Sequence, residues 1–128
     1  MIDKKVTIVT GAASGIGLAI AQDFAKDGAV VVMGDVSEEK LKAESAKIGA
    51  TYFAADLSKR AGCKGLVDFA LEKHGRVDIL INVAGVQTVS PIDEFPEDRW
   101  DFIIALMLSA PFYLTRYVWP SMKKNGWG

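Results

Sequence analysis

Four short runs rich in β-branched and apolar residues recur along this chain. Each is followed by a longer segment with helical spacing, and that alternation limits the fold more than any other feature. The runs are KVTIVT (5–10), AVVVMG (29–34), ATYFAAD (50–56) and VDILIN (77–82). Within the runs, VVVM and ILI do not alternate in polarity, which is how strands buried on both faces read. After the first run, Ile16, Ile20 and Phe24 recur every four positions and make one helical face. Gly28 stands where a helix C-cap glycine would. Ser37, followed by Glu39 and Lys40, opens a second helix that ends near Gly49. Ser58 is expected to cap a third helix reaching His74, with Gly75 as its stop. A loop with Pro91 and Pro96 follows, and then a helical pattern over about 97–124.

Strands alternating with helices of this length require crossover connections, and hence a parallel sheet covered on both faces. The chain of 128 residues suffices for one such core and not for two. The expectation is a single doubly wound α/β domain. A net charge of -1 gives no basic stripe for nucleic acid and no pull toward an acidic membrane surface. The aromatic residues Trp100, Phe102, Tyr113 and Trp119 of the last helix therefore read as core or interface. The longest weakly polar stretch, 103–114, is shorter than the roughly 20 residues that a bilayer requires. No signal-peptide pattern opens the chain, and the lone Cys63 cannot form an internal disulfide. Both fit a cytoplasmic protein. Cys63 reads as a half-buried helix residue, and His74, in the last turn of its helix, as a helix-dipole contact.

The first strand runs directly into TGAASGIG, which places Gly11, Gly15 and Gly17 between strand and helix. Gly11 permits a tight turn, Gly15 lets backbone approach a pyrophosphate, and Gly17 lets the helix pack on the strand. The helix N-terminus at Ser14, Gly15 and Ile16 then offers unpaired N–H groups to phosphate. A tight turn without a ligand is the plainer alternative. An acid supports the ligand: Asp35 ends the second strand, 18 residues past Gly17. A carboxylate there accepts hydrogen bonds from an adenosine ribose and repels a 2′-phosphate, and no Arg or Lys lies within the glycine turn. The expected cofactor is NAD. Asp35 as an exposed turn residue is the other reading.

These residues together resemble the short-chain dehydrogenases/reductases. TGAASGIG is similar to the family's T-G-x-x-x-G-x-G signature, and NVAG (82–85) to its N-N-A-G, with Val83 in place of the second Asn. The resemblance covers the whole chain. It implies a Rossmann-like sheet of order 3-2-1-4, adenine contacts at Asp56 and Leu57, and cofactor contacts at Asn82, Ala84 and Gly85. It also implies a homo-oligomer built through the helix at 97–124. The stretches ADLSK, GRVDILINVAGVQ and MKKNGWG are most similar to the D-3-hydroxybutyrate dehydrogenases, where the residue matching Gln87 helps bind a substrate carboxylate. Gln87 as a solvent-facing loop residue is the alternative.

The family's chemistry needs a Ser, a Tyr and a Lys four residues after that Tyr. Tyr52, Tyr113 and Tyr117 are followed at that spacing by Asp56, Tyr117 and Ser121. Met107 stands where the family usually carries the Asn of its catalytic tetrad. No catalytic residue and no metal ligand is therefore assigned. The chain reads as the N-terminal, dinucleotide-binding part of a dehydrogenase of about twice its length. Its expected activity is hydride transfer between NAD and a small hydroxy acid or alcohol. A non-catalytic dinucleotide-binding module and a fragment without function are the competing readings.

Overall fold

A computed structural model describes residues 1–128. Strand β1 (Val6–Thr10) leads into helix α1 (Gly15–Lys26), β2 (Val30–Asp35) into α2 (Glu38–Ile48), and β3 (Thr51–Ala54) into α3 (Arg60–His74). Strand β4 (Ile79–Ile81) is followed by a 3-10 turn (Ile92–Glu94) and then by helices α4 (Glu97–Ile104) and α5 (Ala110–Asn125). The four strands are parallel in the order β3-β2-β1-β4, as the family resemblance implies.

Side chains of β1 divide between the two faces of the sheet, as the two-residue period of a strand requires. Val6 and Ile8 join a core with α3 and α5 through Leu66, Val67, Leu114 and Val118. Val9 joins the opposite core, which includes Ala21 on α1 and Leu41 on α2. Every residue of β1 is buried, which is why this run reads as continuously apolar apart from its two threonines. Thr7 and Thr10 are buried too, and both hydroxyls find backbone acceptors, Lys5 O at 3.4 Å and Ile81 O at 3.4 Å.

Several local expectations change. Helix α3 begins at Arg60 with Lys59 at its N-cap position, so Ser58 does not cap it. The Ser58 hydroxyl donates instead to Asp56 Oδ1 at 2.6 Å, closing a turn ahead of the helix. Strand β4 is three residues long rather than six, because Val77 and Asp78 lead into it and the backbone leaves the sheet after Ile81. The pattern read as one helix over 97–124 is interrupted by a π turn at Ala105–Ser109. The cause lies next to it: Pro111 has no N–H to give the Met107 carbonyl, and its ring crowds that group. Taken together, Glu97–Asn125 is 29 residues, with a mean hydropathy of 1.4 over its most apolar 18-residue window. By length and composition it could cross a membrane, which 103–114 alone could not. Ala110, Leu114 and Val118 on one face of it pack into the core against α3.

Trp100 and Trp119 are exposed rather than core residues, while Phe102 and Tyr113 are half-buried. Cys63 is fully buried rather than half-buried, and burial pushes its thiol pKa up. His74 Nε2 lies 3.1 Å from the Thr51 hydroxyl. Burial, with Lys73 nearby, lowers the His74 pKa, so the ring favours its neutral form and not a cation paired with the helix dipole.

Candidate functional site

The C-terminal ends of β1, β2 and β4 open on one side of the sheet, where ligands of doubly wound folds bind. The turn after β1 is held there by backbone contacts. Ala12 N–H donates to Gly34 O at 3.2 Å, and Ala13 N–H donates to Asp35 Oδ2 at 3.1 Å. Gly11 has φ +64°, and a Cβ on it would lie 2.9 Å from Ala84 Cα. A Cβ on Gly17 would overlap the Gly11 carbonyl oxygen and lie 2.6 Å from its carbon. Gly15, at φ +55°, faces open space. Gly11 thus makes a tight turn, Gly15 stands beside open space and Gly17 packs against the end of β1.

Helix α1 makes its first intrahelical bond from Leu18 N–H to Ser14 O at 3.2 Å. The N–H groups of Gly15, Ile16 and Gly17 precede that bond and have no intrahelical acceptor. Ser14 sits at the N-cap with its side chain making no capping bond, and both Ser14 and Ile16 are exposed. These donors and the open space at Gly15 form a cradle that a Cβ would narrow, and its chemistry suits a pyrophosphate.

A cleft of about 160 Å³ opens beside the turn, lined by Gly11, Asp35, Leu57, Ala84 and Gly85 among others. Five residues singled out in the sequence thus meet around one space. Val36, Ala55, Val86, Phe102 and Leu106 complete its wall. None of those five is expected at a cofactor site from the sequence, where Phe102 reads as core or interface. Phe102 and Leu106 reach the cleft from the last helical segment, and only the fold brings that segment to the cleft that Asp35 and Val36 also line. A second cleft of about 140 Å³ shares Leu57, Ala84 and Leu106 and adds Thr10, Asn82 and Met107. The Met107 side chain leans on Gly85, where its Cε would be 3.1 Å from a Cβ.

Asp56 and Gln87 line neither cleft and are exposed. The Asp56 carboxylate accepts the Ser58 hydroxyl and, at 3.0 Å, the Ser58 N–H. Its pKa lies below the usual carboxylate value, held there chiefly by the Ser58 hydroxyl and helped by the Ser58 N–H and Lys59, against the effect of burial.

Two groups escaped the sequence reading. Thr10 Oγ1 accepts the N–H groups of Val83 (3.0 Å) and Ala84 (3.1 Å) and so fixes the strand end that walls both clefts. The threonine that opens the glycine signature was its only trace. Asp78 is buried, accepts Val6 N–H at 2.9 Å and pairs with Arg76 at 2.6 Å. Burial opposes its ionisation, but Arg76, the Val6 N–H and Lys5 together hold its pKa below the usual value. Nothing in the local pattern of VDILIN marks that acid as internal.

Comparison with known proteins agrees with this geometry. The short chain dehydrogenase family model matches residues 5–128. An uncharacterized oxidoreductase, YxjF, of Bacillus subtilis is 42% identical over 130 residues, covering 98% of this chain and 51% of the relative. A D-beta-hydroxybutyrate dehydrogenase of Cupriavidus necator is 42% identical over 133 residues, covering 100% of this chain and 52% of the relative. The crystal structure of a metagenomic short-chain oxidoreductase in complex with NADP superimposes with a TM-score of 0.93 at 36% identity, covering 99% of this chain and 60% of that one. The chain spans about half the length of the curated relatives it matches. With the signature turn, the sheet order and a match over nearly all of its length, the chain belongs to the short chain dehydrogenase family of oxidoreductases.

Proposed function

We propose that this chain binds NAD and forms the dinucleotide-binding part of an oxidoreductase that transfers hydride between NAD and a small hydroxy acid, of which 3-hydroxybutyrate is the model. The cofactor, when bound, supplies the hydride-accepting ring. The chain's own residues supply binding. The N–H groups at the start of α1 take the pyrophosphate, Asp35 takes the adenosine ribose, and Leu57, Ala84 and Gly85 wall the cleft. Asn82 and Gln87 extend toward the substrate side, and Asp56 stands at the adenine edge.

The observation that carries the choice of NAD is the charge beside Asp35. Glu38 and Glu39 fill the first turn of α2, immediately beyond it. No Lys or Arg lines the 160 Å³ cleft. A 2′-phosphate placed there meets like charge without a partner. The related protein of known structure is in complex with NADP, so the fold alone does not select NAD, and the proposal rests on Asp35. Calorimetric titration with both cofactors tests it. Tighter binding of NAD is expected, and Asp35→Ala should narrow the preference. Tighter binding of NADP by the unmutated chain would refute the assignment.

Met107, where the family resemblance implies an Asn, favours a second reading, a dinucleotide-binding module without turnover. The two separate when this chain is joined to the C-terminal half of a related dehydrogenase: NADH formation from D-3-hydroxybutyrate supports the first reading, and NAD binding without turnover supports the module. A cytoplasmic setting belongs to the same proposal and rests on the composition and on the unpaired, buried Cys63.

The proposed partner is a second copy, docked along Glu97–Asn125. Trp100, Leu108, Phe112 and Trp119 are exposed along this segment. Acidic Glu97, Asp98 and Asp101 stand at its start and basic Arg116, Lys123 and Lys124 toward its end. Two copies laid antiparallel bring opposite charges together over a shared apolar stripe.

A further inference from the structure

The Asp35 carboxylate already has three partners in the chain itself. Oδ2 accepts Ala13 N–H at 3.1 Å. Oδ1 accepts Val36 N–H at 2.7 Å and Ser37 N–H at 3.3 Å. A carboxylate offers about four acceptor positions, so little capacity remains. These bonds join two segments that are distant in sequence: the glycine turn after β1 and the turn that starts α2. Ala13 is buried, so no water replaces the carboxylate as its acceptor at no cost. The neighbouring peptide is held differently, with Ala12 N–H bonded to the Gly34 carbonyl.

We infer that Asp35 is a positioning residue for the pyrophosphate turn as well as the ribose partner: by holding the Ala13 peptide it sets the turn that presents the N–H groups of α1. The inference rests on the reading of the cleft as a dinucleotide site, but the bond to Ala13 exists without any ligand. Asp35 then acts on two parts of one ligand. It accepts from the ribose directly, and it shapes the pyrophosphate cradle through the turn. The spare capacity of Oδ2 lets the carboxylate keep Ala13 while it accepts a ribose hydroxyl, so the two tasks are compatible.

Two measurements on the full chain and on Asp35→Ala test this. The first is amide hydrogen exchange without ligand. Ala13 should exchange about tenfold faster in the variant, while Ala12 keeps its protection. Unchanged exchange at Ala13, or equal acceleration at both amides, would overturn the inference. The second is calorimetric titration with NAD and with an NAD analogue lacking both hydroxyls of the adenosine ribose. A residue acting only on the ribose loses nothing toward the analogue. A positioning residue loses about three- to tenfold toward the analogue and more toward NAD. Equal affinity of both proteins for the analogue would overturn it. If the unmutated chain binds neither NAD nor NADP, the dinucleotide reading falls on that result, and the exchange at Ala13 still decides whether Asp35 holds the turn.

Discussion

The two neighbours of β1 make an instructive pair. Strand β2 lies on one side and β4 on the other, both parallel to β1 and both apolar without alternation. Yet the four central residues of β2 are buried, while all three of β4 are only half-buried. The difference is position. Beyond β2 lies β3, and β4 stands at the sheet's edge. Apolar sequence suits a strand to burial, but neighbours supply it. The means of attachment differ accordingly. Strand β2 is held by ladder bonds along five residue pairs and by side chains packed on both faces. Strand β4 has three pairs and relies on polar fastenings: Asp78 to Val6 N–H, Thr10 Oγ1 to Val83 and Ala84, and the Ser121 hydroxyl to Val77 N–H at 3.0 Å.

The tightly packed side should break hardest under added volume. Gly17→Val places a branched side chain where even a Cβ overlaps the Gly11 carbonyl. Overpacking against backbone costs about 1–3 kcal/mol or more, and the helix must move off the strand. The expected result is a clear fall in unfolding temperature together with loss of NAD binding by titration. A folded variant with unchanged affinity would show that the turn is a turn and nothing more.

The edge side should break under loss of a polar partner. Asp78→Asn removes the charge that pairs with Arg76 and weakens the bond to the buried Val6 N–H. A loss of about 1–3 kcal/mol is expected, the cost of a poorly satisfied buried donor. The pH dependence has a definite sign. The pKa of Asp78 in the folded chain lies below its unfolded value of about 3.9, so this contribution is present above that pH and is lost as pH falls through the folded value. Denaturant titrations at neutral pH and in acid should therefore show the variant's deficit shrinking in acid. A constant deficit would mean that the charge is not what fastens β4.

The same contrast explains what could be read without a structure. Strand existence, parallel direction and the glycine turn were legible, because periodicity and three glycines leave traces in adjacent residues, whereas the strand order came from the family resemblance. Of the residues that meet at the cleft, Gly11 and Asp35 were legible from the strand ends they follow or close, while Leu57, Ala84 and Gly85 were expected only from the family resemblance. Phe102 and Leu106 were not: they enter the cleft by a tertiary approach that no local spacing encodes. Asp78 and Thr10 were missed for a related reason. Their partners, Val6 and the Val83–Ala84 peptides, are about seventy residues away in sequence, and a short polar residue in an apolar run looks the same whether fastened or solvated. The π turn at Ala105–Ser109 was visible only as Pro111, which the helical pattern around it outweighed.

The smallest expected effect on the folded monomer lies on the outward side of the last helix, beyond the β4 edge. Trp119 is 56% exposed, so replacing it removes little buried area, and Trp119→Lys should shift stability by no more than about 0.5 kcal/mol. Its effect on association should be much larger. The proposed antiparallel pairing of Glu97–Asn125 with a second copy puts Trp119 in the shared apolar stripe, and aromatic anchors at such places carry a disproportionate part of the binding energy. A third lysine near Lys123 and Lys124 does not by itself forbid pairing, since acids from the other copy face that end, so loss of pairing would report the missing ring and not the added charge. Light scattering across a concentration series, with thermal unfolding of the same samples, separates the two effects. The expected outcome is association by the unmutated chain, a monomer for Trp119→Lys, and nearly equal unfolding temperatures once dilution has removed the dimer. Association of equal strength in both proteins would move the contact off this helix and onto another apolar feature, such as the open edge of β4.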